Sequence, residues 1–244
     1  MIPTGGVARA DELAYDPLDQ IVLIANDRET SCVMGVCTGN PPFVTFISTE
    51  TQRVLGTIDY PQVVFGDTPT NHGLEQPVWN SKTGMFYLAV PGTSDNPAGE
   101  VDEIDPVGQL VTRVFPTTCS PAGLVLVPRQ RLVTSCGDVI RVAAGDVLTT
   151  VADVGGDEIW FNPGEERVYF GGFRSINVPI LNTDNNRLVT TLVVGQINPT
   201  PPPPSQTTHS VAADSENNLI FVPVSNAGVK VYTDRRRSAD VIDD

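Results

Sequence analysis

Residues 157–171, DEIWFNPGEERVYFG, carry the pattern that decides the fold: a charged pair, a short apolar strand, a turn rich in Asn, Pro and Gly, then a second apolar strand. The same order is spelled four more times, as DELAYDPLDQIVLIA from Asp11, EQPVWNSKTGMFYLA from Glu75, AGLVLVPRQRLVTS from Ala122 and HSVAADSENNLIFVP from His209. Self-similarity of this kind marks a repeat architecture, in which each unit buries its apolar face only against the next. The apolar runs are rich in Val, Ile and aromatic residues, and VTFIS alternates, so they read as strands. No stretch of ten residues follows a 3.6-residue period, so helix should be nearly absent.

Two further strands follow most of these hairpins, which predicts an all-β fold, a β-propeller with about five four-stranded blades over residues 1–234. The blades fall near 11–60, 73–116, 120–154, 157–195 and 208–233, ahead of a charged tail at 235–244 that contains Arg235, Arg236 and Arg237. The last repeat shows only three strands. Either the N-terminus closes that blade, although Ile2-Pro3-Thr4 is short and proline-broken, or these are the later blades of a larger propeller. Two excursions break the spacing: residues 27–42, read as a long loop, and 195–207, whose Pro201–Pro204 run stiffens a connection.

The chain has 244 residues with a formal charge of -14, from 29 acidic against 15 basic residues. That balance argues against a nucleic-acid backbone or an anionic membrane surface as partner. No apolar run is long enough to span a bilayer, and the first residues lack a secretory signal, so export is a property of a parent form. The chain is expected to be a monomer. Four cysteines suggest two local disulfides, Cys32–Cys37 and Cys119–Cys136, hence an oxidising compartment, secreted or periplasmic. Four free thiols is the alternative; the spacings do not suit zinc.

The phrases DELAYDP, EQPVWN, CSPAGL, DEIWFNPGEERVYF and HSVAADSENNLIFVP resemble secreted bacterial proteins of the YncE-like (YVTN-repeat) β-propeller family, over roughly residues 5–233. The resemblance implies a seven-bladed, exported propeller with no assigned activity; two blades would then be missing ahead of Thr4. A weaker likeness, limited to LEQPVW at 74–79, is to the gluconolactonase group, and implies a metal-dependent lactonase with Glu75 as a ligand.

Equivalent blade openings should sit at one level of the ring: Asp11-Glu12, Glu75-Gln76, Ala122-Gly123, Asp157-Glu158 and His209-Ser210. Carboxylates brought together repel, so such a group binds a cation, raises some pKa values or stays hydrated. Asp11, Glu12, Glu75, Asp157, Glu158 and His209 are therefore the candidate metal ligands, for calcium or, through His209, zinc. A hydrolytic scheme uses Glu75 or Glu158 as general base and His209 as proton shuttle. The plainer alternative is that these side chains cap strand starts by accepting hydrogen bonds from neighbouring backbone amides. Trp79 and Trp160 read as packing between blades, Cys119–Cys136 as a staple on the third blade, and His72 as a loop residue.

The functional expectation is an exported binding or scaffold propeller with an acidic, cation-binding central channel. A metal-dependent hydrolase acting on a lactone is one alternative. A protein-interaction platform without a channel site is another.

Overall fold

The first turn of a repeat is closed by its own side chain. The Asp16 carboxylate accepts the Leu18 N–H (2.7 Å), Asn80 Oδ1 the Lys82 N–H (3.0 Å), Asn162 Oδ1 the Gly164 N–H (2.9 Å) and the Asp214 carboxylate the Glu216 N–H (2.9 Å). Such Asx turns reverse the chain without needing a partner elsewhere. The residue ending the turn is left-handed in all five repeats: Gln20, Gly84, Gln130, Glu166 and Asn218 have φ between 52° and 69°. Only one of the five is glycine, so the turn and the hairpin it joins impose the conformation.

The computed structural model describes residues 1–6, 9–27, 29–33, 36–63, 73–198 and 205–234, with backbone alone over 29–33 and 36–40. The first blade starts with β1 (Ala10–Asp16) and β2 (Ile21–Asn26). A separate two-stranded ribbon, β3 (Glu29–Val33) and β4 (Val36–Asn40), precedes β5 (Phe43–Ser48) and β6 (Arg53–Asp59), giving the sheet order β1-β2-β5-β6. The second blade is β7 (Pro77–Asn80), β8 (Met85–Val90), β9 (Glu100–Asp105) and β10 (Leu110–Pro116). The third is β11 (Leu124–Val127), β12 (Arg131–Thr134), β13 (Asp138–Arg141) and β14 (Asp146–Thr150). The fourth is β15 (Ile159–Asn162), β16 (Arg167–Phe170), β17 (Asn177–Asn182) and β18 (Arg187–Val193). The fifth has three strands: β19 (Ala212–Asp214), β20 (Leu219–Val224) and β21 (Gly228–Thr233). Every pairing is antiparallel, and among the described residues there is no helix. The fold is an all-β propeller of about five blades. No helix among the described residues is long and apolar enough to cross a membrane.

The chain divides into two compact units, Met1–Val151 with three blades and Ala152–Asp244 with two. In the first unit β8 shows why its sequence, MFYLAV, is apolar throughout. Phe86, Leu88 and Val90 point into a cluster with Leu23, Val44 and Phe46 of the first blade, while Tyr87 and Ala89 point into another with Leu124, Leu132 and Ile140 of the third. Successive strand residues face opposite ways, so a strand between two neighbours needs apolar side chains on both faces. In the second unit Tyr169, Val178 and Ile180 pack with Val211, Ile220 and Val222 in the same manner.

Within the excursion at 27–42, where a loop was expected, Glu29–Val33 and Val36–Asn40 pair as a two-stranded ribbon. Its backbone register sets Cys32 opposite Cys37, and the side chains of both lie outside the described residues. Residues 1–6 add no strand; the Thr4 carbonyl accepts a hydrogen bond from Thr45 Oγ1 of the first blade (2.7 Å). Cys119 and Cys136 form the expected disulfide, with Cα atoms 6.0 Å apart and 17 residues between them in sequence. Closing a loop of this length in the unfolded chain contributes about 3 kcal/mol in the chain-entropy account. His72, Pro201–Pro204 and the Arg235–Arg237 tail lie outside the described residues.

Candidate functional site

In the second unit, the segment entering the fifth blade is tied down by backbone bonds before it reaches His209. The Thr208 N–H donates to the Ser175 carbonyl (2.7 Å) and the Ser225 N–H to the Thr207 carbonyl (2.8 Å). Thr208 Oγ1 donates to the Ser210 carbonyl (2.9 Å), which braces the turn around His209. Gly171 makes the close approach possible: a Cβ there would stand 2.6 Å from the Ser210 carbonyl carbon. Only glycine fits at that crossing.

His209 is thereby set against the opening of the fourth blade. Its Nε2 lies 2.7 Å from Asp157 Oδ2, with the side chains 52% and 25% exposed. The Asp157 N–H donates to the Gly171 carbonyl (2.5 Å), which holds the carboxylate's own backbone in place. An imidazole that donates through Nε2 to a carboxylate has a set orientation. The Phe173 ring meets the imidazole edge-on, with centroids 5.3 Å apart and planes at 75°. The Arg174 guanidinium lies over the Phe173 ring at 5.1 Å, and its backbone is left-handed (φ 53°). Arg174 makes no ion pair among the described residues, whereas cation–π contact of this kind still leaves its N–H groups able to donate.

These groups open onto a concavity of about 540 Å³ whose lining includes Phe173, Arg174, His209, Pro223, Ser225 and Val229. Among the described residues that line it, Arg174 and His209 are the basic ones, and the Asp157 carboxylate stands against His209. An apolar wall with a few convergent polar groups is the usual form of a small-ligand site.

The first unit uses its blade openings differently. The Glu75 side chain is buried, and its N–H donates to the Ala89 carbonyl (3.1 Å). The Gln76 N–H donates to the Ala122 carbonyl (3.2 Å), and Gln76 Oε1 accepts the Leu124 N–H (3.0 Å), stitching the second blade's opening to the third's. Asp11 pairs with Arg9, and Glu12 is half-buried on β1. Glu158, half-buried beside Asp157, accepts the Gly171 N–H on its backbone carbonyl (3.0 Å). Of the six candidate ligands, Asp157 and His209 meet directly. Among the described residues no group of three or more His, Cys, Asp or Glu side chains is placed to hold a metal ion.

Trp79 packs on the first unit's core and on Phe86 at 5.0 Å, as its repeat position suggested. Trp160 stands one place earlier in its strand, at the position of Val78, so it faces the other side of the sheet; it is 44% exposed and the packing reading does not carry over to it. Phe173 and Arg174 escaped the sequence reading because they sit between β16 and β17, outside the repeated phrase. The Gly171-Gly172 pair after a strand, a mark of close backbone approach, was the signal available.

No family model matches the chain, and no curated protein matches it. Solved structures do. One titled "Structure of U3-55K" is similar over 95% of this chain and 64% of its own, with a TM-score of 0.67 and 14% identity. The chain thus spans 64% of that structure's length. At this identity the likeness is one of fold, and it agrees with the propeller read from the repeats.

Proposed function

We propose that the protein is a binding propeller whose ligand site is the concavity beside His209 in the second unit. The observation that carries this reading is the Asp157–His209 contact beside a concavity whose lining includes His209, Phe173 and Thr208. Its ligand is a compact group with an apolar or aromatic face and a negative charge, because Arg174 and His209 are the charged or chargeable lining residues. Benzoate is the simplest probe. It should shift the His209 ring resonances saturably and bind about tenfold more weakly to Arg174→Gln protein; the absence of any shift at millimolar benzoate would remove the reading.

A hydrolase is the second reading, favoured by the same contact, since a carboxylate-oriented imidazole can take a proton from water. Lactone turnover that disappears in His209→Ala protein would establish it. The divalent-cation reading of Asp11, Glu12, Glu75, Asp157, Glu158 and His209 is tested by metal analysis. It requires one ion per chain, lost in Glu75→Gln or Glu158→Gln protein. The Cys119–Cys136 disulfide supports placing the protein in an oxidising compartment, secreted or periplasmic, as its YncE-like wording suggests.

A further inference from the structure

Two polar groups of the concavity are spaced by one stretch of extended chain. Thr208 forms isolated antiparallel bridges with Ser175 and with Val224, so the backbone through it is strand-like. Thr207 and His209 flank it, and both line the concavity while Thr208 itself is buried. Side chains two residues apart in an extended chain share a face, about 6.6 Å from one another.

The His209 end carries the charge. Arg174 supplies one positive charge. His209 stands 2.7 Å from Asp157, so an imidazolium there is already matched by the carboxylate, and a neutral imidazole leaves the pair with one negative charge. Counted with Asp157, the described groups at this end hold one net positive charge at most. That suits a monoanion. A second negative charge would find no cation left to pair with and would meet the field of Asp157.

The Thr207 end can be counted proton by proton. A hydroxyl has one proton to give and two lone pairs. Ser225 Oγ gives its proton to the Thr207 carbonyl (2.7 Å). The same oxygen lies 3.1 Å from Thr207 Oγ1, so the proton in that contact comes from Thr207. The Thr207 N–H also points at Ser225 Oγ, at 3.4 Å. Thr207 Oγ1 has then spent its proton and keeps its lone pairs, to which no group donates among the described residues. The remaining lining includes Phe173, Pro223 and Val229, against which an aromatic ring can lie.

Resting on the concavity as the ligand site, we propose that its ligand is an aromatic monocarboxylate with a hydrogen-bond donor, a hydroxyl or an amine, across the ring from the acid. The carboxylate pairs with Arg174, and Thr207 Oγ1 accepts from the donor. Thr207 is thus the residue that selects among aromatic acids, and Asp157 the one that limits them to a single charge.

The probes are para-substituted benzoates, titrated calorimetrically into the whole chain near neutral pH. Para-hydroxybenzoate and para-aminobenzoate should each bind about fivefold more tightly than benzoate, the worth of one hydrogen bond. Para-methoxybenzoate accepts but cannot donate, and should gain nothing. Terephthalate, with a second carboxylate in place of the donor, should bind more weakly than benzoate. Thr207→Val protein should hold para-hydroxybenzoate and benzoate alike, and Thr207→Ser should keep the preference; should the valine variant unfold, the ligand series carries the test. A methoxy acid that gains as much as the hydroxy acid, a preference that survives Thr207→Val, or terephthalate as the tightest of the series overturns the proposal. Benzoate binding with no gain for either donor-bearing acid overturns it and leaves the pocket standing; failure of every acid removes both.

Discussion

At the opening of the second blade Gln76 is stitched to Ala122 and Leu124 of the third, while at the opening of the fourth Asp157 reaches His209 of the fifth in the open. The two regions occupy the same place in the repeat. In the first unit that place closes one sheet onto the next; in the second it holds an exposed imidazole against a concavity. A repeat assigns position, and the local chemistry of one residue assigns role.

A second pair of equivalent residues lets the comparison be tested where the effects are largest. Tyr87 and Tyr169 hold the same position in the second strands of their blades, and burial is the main cause that pushes both phenols up. Tyr87 donates to Glu103 (2.8 Å), whose partner Arg113 is 38% exposed. Tyr169 donates to Asp234 (2.6 Å), which also pairs with Arg167, and there both side chains are nearly buried. Removing the acid strands a buried guanidinium in the second unit only. Asp234→Ala should therefore cost about 3–5 kcal/mol, against about 1–2 kcal/mol for Glu103→Ala, where water reaches the arginine. Urea denaturation of both variants measures the difference, and equal losses would mean the two units hold their tyrosines alike.

The next effect belongs to the first unit and depends on pH. Burial, and then the nearby Glu100 charge, push the Asp102 carboxyl up to about 7, with Tyr60 pulling the other way. Its unfolded value is near 3.8, so the native state holds the proton more tightly. The stability this contributes is full below the unfolded value and is lost as pH rises through about 7. The unfolding free energy from urea denaturation should fall by up to about a few kcal/mol over that window in the native sequence. Asp102→Asn, neutral throughout, should remove most of that slope; an unchanged slope would place the titration elsewhere.

The repeats made the sheets legible because a turn closed by its own Asp or Asn, followed by an apolar strand, is a local instruction. Asp16, Asn80, Asn162 and Asp214 each act within three residues of themselves. The disulfide was legible for the same reason, since Cys119 and Cys136 flank one hairpin. The site was legible only in part. His209 and Asp157 stood out as polar openings, but their contact depends on Gly171 letting two segments cross. Phe173 and Arg174 lie in a connection whose course the repeat does not dictate. The ribbon of β3 and β4 was missed because its pairing is set by ladder bonds that the ETSCV and VCTGN wording does not announce.

Gln76→Ala sharpens the comparison at the blade opening itself. It leaves the Leu124 N–H without its acceptor at a point where Leu124 is buried, so it should cost about 1–2 kcal/mol in thermal or urea unfolding. A loss within a few tenths would mean that water replaces the glutamine and that the stitch carries no weight.

Asp157→Asn probes the opening of the fourth blade in the second unit, and there the two readings of a blade opening part company. The Asp157–His209 pair is substantially exposed, so its removal should alter stability by less than about 0.5 kcal/mol, well below the Gln76 effect. Its effect should show in the ring instead. Asparagine keeps the shape but withdraws the charge that orients His209, so the imidazole should sample other rotamers and benzoate affinity should drop several-fold. Ring resonances and a benzoate titration on the same sample read both quantities. Should Asp157→Asn destabilise the fold as much as Gln76→Ala while leaving benzoate binding untouched, the opening of the fourth blade would be a structural stitch like that of the second, and the contrast between the units would disappear.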